Sequence, residues 1–221
     1  MTGEVAGQTQ LATSERIAGY LREQILRGHI PPGEWIRQED IATRLGASRL
    51  PVREALRMLA AEGLTEHAAH RGSRVPRLSA GEVDVVYQMR ERLEPLALSQ
   101  SLLYLDDTAI GRLADIQDRI EADDSLAEFL VLDREFHLGS YAGCQVEQLL
   151  SSVTRMWNST QHHRRAFMLL SGPDRRWVVN YEHRLLLDAI RRRDPVDAER
   201  YLGGHIRRTR LELAEHPDVA S

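Results

Sequence analysis

The chain has a single cysteine, no lysine and no long apolar run, and each shortage narrows what it can be. Cys144 alone cannot close an internal disulfide, so a reducing cytoplasm suits the chain without special assumptions. No stretch approaches the ~18 uninterrupted apolar residues of a membrane span. The first ten residues, MTGEVAGQTQ, offer neither a basic start nor an apolar core for a secretory signal. A cytoplasmic protein with no membrane partner is expected. All 29 basic residues are arginine, a bias that genome base composition produces as readily as function does.

What remains is ordinary in bulk and uneven along its length. Of 221 residues, 42% are hydrophobic and 28% charged, as in a soluble globular protein long enough for one large domain or two modest ones. The net charge of −4 hides a division. Residues 14–77 hold 11 Arg against eight Asp and Glu, whereas residues 78–221 hold 18 Arg against 24 acids. A basic N-terminal third on an acidic body directs a polyanion to one part only.

Residues 1–12 are small and polar and are expected to be disordered. Ser14 then stands as an N-cap for a helix over 15–27 with Ile17, Tyr20, Leu21 and Ile25 on one face. A Pro31-Pro32-Gly33 turn separates it from a short helix over 38–45 ending at Gly46. Ser48 starts another helix that runs to Glu62, with Pro51 in its first turn. Leu64–Glu66 and Ser73–Val75 read as two short strands around an Arg71-Gly72 tip. From Ser79 onward the pattern is helical throughout, over 80–103, 107–122, 125–141, 146–169, 174–192 and 195–214, with Asp106, Ser125 and Asp194 as caps and Pro95 as a kink. The expected fold is mostly α, with residues 13–77 forming a winged helix-turn-helix of three helices and a β-hairpin wing. Residues 78–221 follow as an all-α antiparallel bundle of about six helices.

The second helix of a helix-turn-helix lies in the major groove and presents its N-terminal residues to base edges. Here these are Ser48, Arg49, Leu50 and Arg53. An arginine fork matches the O6 and N7 acceptors of guanine, and Arg49 and Arg53, four apart, share a face. Arg71 and Gly72 at the wing tip would let the backbone approach phosphates or the minor groove. The run from Ile25 to Val75 resembles the GntR family of bacterial regulators. The likeness rests on Arg27-Gly28, Pro32-Gly33, Leu45-Gly46-Ala47-Ser48-Arg49, Pro51-Val52-Arg53-Glu54-Ala55-Leu56 and Glu62-Gly63-Leu64. It implies that Arg49 and Arg53 contact operator bases and that Gly72 sits at the wing tip. Ala47, where valine is usual, and Leu50, not a typical polar reader, leave the operator sequence open.

Four residues of the second segment could converge on a metal. Asp133 and His137, four apart, project from one helix face. His183 and His205 each lie 11 residues from Asp194, in opposite directions, so antiparallel packing of the last two helices would set them side by side. Three imidazoles and one carboxylate suit one divalent transition ion per chain, such as zinc, nickel, manganese or iron. Residues 78–221 also resemble the FCD ligand-binding domain of the FadR-type subfamily. That likeness rests on Arg90 with Leu93-Glu94, Asp133 with Phe136-His137, Glu182-His183 followed by Ala189-Ile190, and His205. It implies a metal whose free positions meet a small carboxylate effector.

Arg90 is either the fork that grips that carboxylate or a helix-surface partner of Glu94. Cys144, where asparagine is common in the subfamily, either adds a soft ligand or fills space. Trp157 and Trp177 are expected in the core or cavity wall, and His162-His163 stay unassigned. The combined reading is a homodimeric, DNA-binding repressor on palindromic double-stranded operator DNA, and not an enzyme. An all-helical metal-dependent hydrolase is the rival, although neither an adjacent His-Asp pair nor an HExxH is present. A regulator with a purely structural C-terminal domain is the other.

Overall fold

A computed structural model describes residues 2–68, 72–171 and 176–216. The chain divides into two compact units, Met1–Arg77 and Leu78–Ser221.

The first unit holds α1 (Thr2–Leu26), β1 (Trp35–Ile36), α2 (Gln38–Leu45), α3 (Arg49–Ala61), β2 (Glu66–Ala68) and β3 (Gly72–Arg74). Where the sequence suggests disorder over 1–12 and a cap at Ser14, α1 instead begins at Thr2. No proline interrupts this stretch, and buried Ser14 turns its hydroxyl back along the helix to the Gln10 carbonyl, 3.0 Å away. Ile17 and Leu21 of α1 pack with Ile41 of α2 and Val52, Leu56 and Leu59 of α3. Fully burying each such side chain contributes about 1.5–3 kcal/mol. Arg22 adds a two-pronged bond to Glu62, at 2.7 and 2.6 Å. Gly46 ends α2 in the left-handed region (φ 59°), which makes the turn into α3 tight.

The wing is displaced from its expected register. β2 and β3 pair antiparallel as Glu66↔Arg74, His67↔Ser73 and Ala68↔Gly72. Leu64 and Thr65 are spent on α3: both are buried, the Leu64 N–H donates to Leu59 O at 2.9 Å, and the Thr65 hydroxyl to Leu56 O at 3.1 Å. β1 joins the far side of β3, with Ile36 buried beneath it. Two residues between a proline turn and a helix carry no alternation from which such a strand could be read.

The second unit is built from α4 (Ala80–Ser101), α5 (Asp107–Ala122), α6 (Leu126–Ser140), α7 (Glu147–Ser171), α8 (Arg176–Arg191) and α9 (Pro195–Glu215). Their starts are chemically marked. Ser79 forms a reciprocal box with Glu82, and Asp106, Ser125 and Asp194 each accept a backbone N–H two or three residues on. α4 continues through Pro95 and packs most extensively on α9. The α8–α9 turn places Arg193 at φ 52°, and its side chain holds Leu102 O, Leu105 O and Asp107 Oδ1. Tyr87, Leu98, Phe136, Trp157, Leu186 and Leu202 are among the buried residues of this core. No helix among the described residues is long and apolar enough to cross a membrane.

Candidate metal centre and nucleic-acid interface

In the first unit, α3 buries Val52, Ala55, Leu56 and Leu59, so its other face is free. Ser48, Arg49, Leu50 and Arg53 are all exposed there. Ser48 is the N-cap by backbone geometry, yet its hydroxyl makes no capping bond. Arg49 is occupied: its guanidinium meets Glu39 of α2 at 2.6 Å, both side chains well exposed. Arg53 lies 3.9 Å from Glu54. Gly72, at φ 95°, opens β3 in a conformation that a side chain resists. Arg71 lies outside the described residues.

In the second unit, α6, α8 and α9 bring His137, His183 and His205 together. One ring nitrogen of each lies within 4.8 Å of those of the other two. The His183 and His205 ring centres are 5.1 Å apart, and His137 lies 5.1 Å from each. Asp133, one turn before His137, directs Oδ1 to within 3.5 Å of His183 Nε2 and 3.8 Å of His137 Nε2. Its other oxygen, Oδ2, contacts Arg164 of α7.

The tautomers follow from what surrounds each ring. His183 Nδ1 donates to Gln117 Oε1 at 2.8 Å, and His205 Nδ1 to Glu182 Oε2 at 2.9 Å. His137 Nδ1 faces the Tyr141 hydroxyl at 3.4 Å, which itself donates to Glu94 Oε2 at 2.7 Å. Each Nδ1–H is thus engaged, and each Nε2 is left as a lone pair. The Nε2 of His183 is buried with no hydrogen-bond partner. Burial, reinforced by His183 and His205, holds His137 well below its ordinary pKa; burial, then His205 and Arg164, does the same to His183. Burial followed by Arg164 and Arg90 lowers His205 to about 4. All three are neutral at pH 7, as a metal ligand must be.

These donors fit a transition ion. An orphaned buried Nε2, three neutral imidazoles and outer partners on every Nδ1 form the arrangement that orients metal-ligating histidines.

Beside the cluster lies a solvent-accessible cavity of about 410 Å³, lined by Arg90, Asp133, His137, Trp157, Arg164 and His205 among others. Arg90 is buried, not on the helix surface. It pairs with Glu94 at 2.5 Å, reaches Thr160 at 3.3 Å and stacks on Tyr87 and Trp157. Arg164, which sequence reasoning missed as a site residue, stacks on the same indole at 4.0 Å. Burial and then Arg90 lower its pKa to about 9, so it stays charged at pH 7. Trp177, expected in the wall, is 61% exposed. Cys144 is buried outside the histidine group and fills space, while His162 is exposed and His163 buried, neither lining the cavity.

Two family models match the chain: the FCD domain over residues 85–208 and the bacterial regulatory proteins of the gntR family over residues 13–75. A probable D-xylose utilization operon transcriptional repressor of Paenarthrobacter nicotinovorans is 28% identical over 214 residues, spanning 90% of this chain and 87% of its own. The transcriptional repressor RspR of Escherichia coli K12 is 28% identical over 216 residues, spanning 93% and 91%. Among solved structures, E. coli McbR/YncC superposes with a TM-score of 0.77 at 20% identity over 92% of this chain and 97% of that one, a likeness of fold. An FCD domain across more than half of the residues, preceded by a GntR winged helix, means that the chain belongs to the GntR family of bacterial DNA-binding transcription regulators, FCD-containing branch.

Proposed function

We propose that this regulator is a cytoplasmic repressor that binds a palindromic operator as a homodimer. In this reading its affinity for DNA is set by a small organic acid held beside a divalent transition metal in the second unit. The observation that carries the sensing half is the set of three histidines whose Nδ1 atoms are all engaged outward while their Nε2 lone pairs are free. His137, His183 and His205 would hold the ion together with Asp133. Zinc, nickel, manganese and iron all accept this donor set. When bound, the ion supplies a Lewis-acidic point for a carboxylate oxygen. The protein's part is to orient the rings through Gln117, Glu182 and Tyr141, to wall the cavity with Trp157, and to offer guanidinium charge from Arg90 and Arg164.

For DNA, the exposed start of α3 supports Ser48, Arg49 and Arg53 as base-edge contacts, with Arg71 and Gly72 of the wing on the backbone or minor groove. Repression accords with the names of the two curated relatives, which are themselves repressors. An acid can change operator affinity only by the difference between its affinities for the DNA-bound and DNA-free forms.

Elemental analysis of purified, untagged protein tests the centre. About one transition ion per chain is expected, lost in a His183→Ala, His205→Ala variant. None in the native protein, even after adding zinc, nickel or manganese, would sink the metal. Gel shifts on operator DNA across a broad panel of organic acids test the switch, and no change anywhere in the panel would refute it.

A further inference from the structure

The cavity beside the histidines contains a balanced set of charges. Arg90, Asp133 and Arg164 are the ionic residues lining it among those described, and Glu94 stands directly behind Arg90. Each carboxylate is matched to one guanidinium, Glu94 to Arg90 and Asp133 to Arg164. The two pairs differ in what else holds them. Glu94 is fixed on both oxygens, by Arg90 on one and the Tyr141 hydroxyl on the other, and Arg90 has a second partner in Thr160. Asp133 is divided: Oδ2 faces Arg164, while Oδ1 faces the Nε2 atoms of His183 and His137. Arg164 has only one further side-chain bond among the described residues, to Gln161 at 3.2 Å within its own helix.

We infer that Arg164 is a counter-ion latch: it neutralises Asp133 when no metal is bound, and becomes the receptor for the acid's carboxylate once Asp133 turns to the metal. This rests on the metal reading above and assigns the carboxylate to Arg164 rather than Arg90. The electrostatics require the exchange. A divalent cation engaging Asp133 leaves Arg164 buried without its anion, and an unpaired buried charge is strongly unfavourable. A carboxylate restores the balance, and the planar guanidinium, seated flat on Trp157, can accept it bidentately. Trp157 Nε1, buried without a partner, is a further donor in the same wall. Arg90 cannot take the role without abandoning Glu94, which would strand a second buried carboxylate. Metal and acid therefore bind in sequence, the metal creating the site for the acid.

The probes are Ni2+ alone, by calorimetry, and acetate titrated into Co2+-loaded protein, by its effect on the Co2+ d–d spectrum. Native protein is compared with Arg164→Gln. Removing the latch leaves Asp133 free, so Ni2+ should bind roughly tenfold or more tightly, while acetate should bind roughly tenfold or more weakly. Arg164→Lys, which keeps the charge without the fork, should hold Ni2+ close to native affinity and lose less of the acetate response than the glutamine variant; it also serves if Arg164→Gln folds poorly. Ni2+ affinity unchanged or weakened in Arg164→Gln, or acetate affinity retained, would overturn the latch while leaving the metal site standing. No Ni2+ binding in native protein and in either variant would remove the metal reading and the latch together.

Discussion

Arg90 Nε and Glu94 Oε1 lie 2.5 Å apart, one helical turn from each other and both buried. Burial pushes the Arg90 guanidinium down, but the Glu94 charge more than offsets it and the pKa stands above its ordinary value. Removing one member strands the other, whereas removing both does not. Glu94→Ala is therefore expected to cost about 3–5 kcal/mol in urea unfolding, and an Arg90→Met, Glu94→Leu double variant to recover most of it. A double variant as unstable as the single would show that the loss comes from packing instead.

Periodicity made the histidines legible in the sequence. Asp133 and His137 are one turn apart, and the equal distances of His183 and His205 from Asp194 need only a helical hairpin to meet. Arg164 could not be found that way. It sits in the polar run Gln161-His162-His163-Arg164-Arg165, where no apolar stripe tells which side faces inward, and its partner Asp133 is on another helix. Gln117, Glu182 and Glu94 likewise resemble solvated helix faces until the rings that they hold are placed. Trp177 failed in the opposite sense. It precedes buried His183 by six residues, roughly 240° around the helix, which turns it outward.

The histidines give stability a definite pH dependence. Their folded pKa values are depressed, to about 4 for His205, while the unfolded chain protonates near the ordinary 6.5. Between these limits the unfolded state binds more protons, so stability is complete above pH 6.5 and falls as the pH drops toward 4. Each histidine neutral in the folded state removes about 1.4 kcal/mol per pH unit across that window. Urea unfolding of metal-free protein at pH 7, 6 and 5 should show a steepening loss, shallower in His183→Gln. A flat profile from 7 to 5 would contradict neutral burial.

Gly143 has no room for a methyl group. A Cβ there would lie 2.9 Å from Leu105 N and closer still to the Ser101 carbonyl, and the Gly143 N–H already bonds Ser101 Oγ at 2.9 Å. Those atoms belong to the end of α4 and the turn after it, backbone that cannot yield cheaply. Gly143→Ala should lower stability by about 1–3 kcal/mol, seen as a drop in Tm. A change under a few tenths would mean that this turn can shift.

Arg49 tests the DNA-binding face separately from the fold. Its pair with Glu39 is exposed at both ends, a class of contact that contributes only about 0–1 kcal/mol. Arg49→Ala should therefore leave Tm almost unchanged while costing about 1–3 kcal/mol of operator affinity by fluorescence anisotropy, through loss of one base contact. The partner offers the reverse experiment. Glu39 competes with DNA for the Arg49 fork and adds a negative charge to a face that approaches phosphates, so Glu39→Gln should tighten operator binding, most at low salt. If Glu39→Gln weakens binding, Glu39 is positioning Arg49 rather than competing for it, and the ion pair is part of the recognition surface.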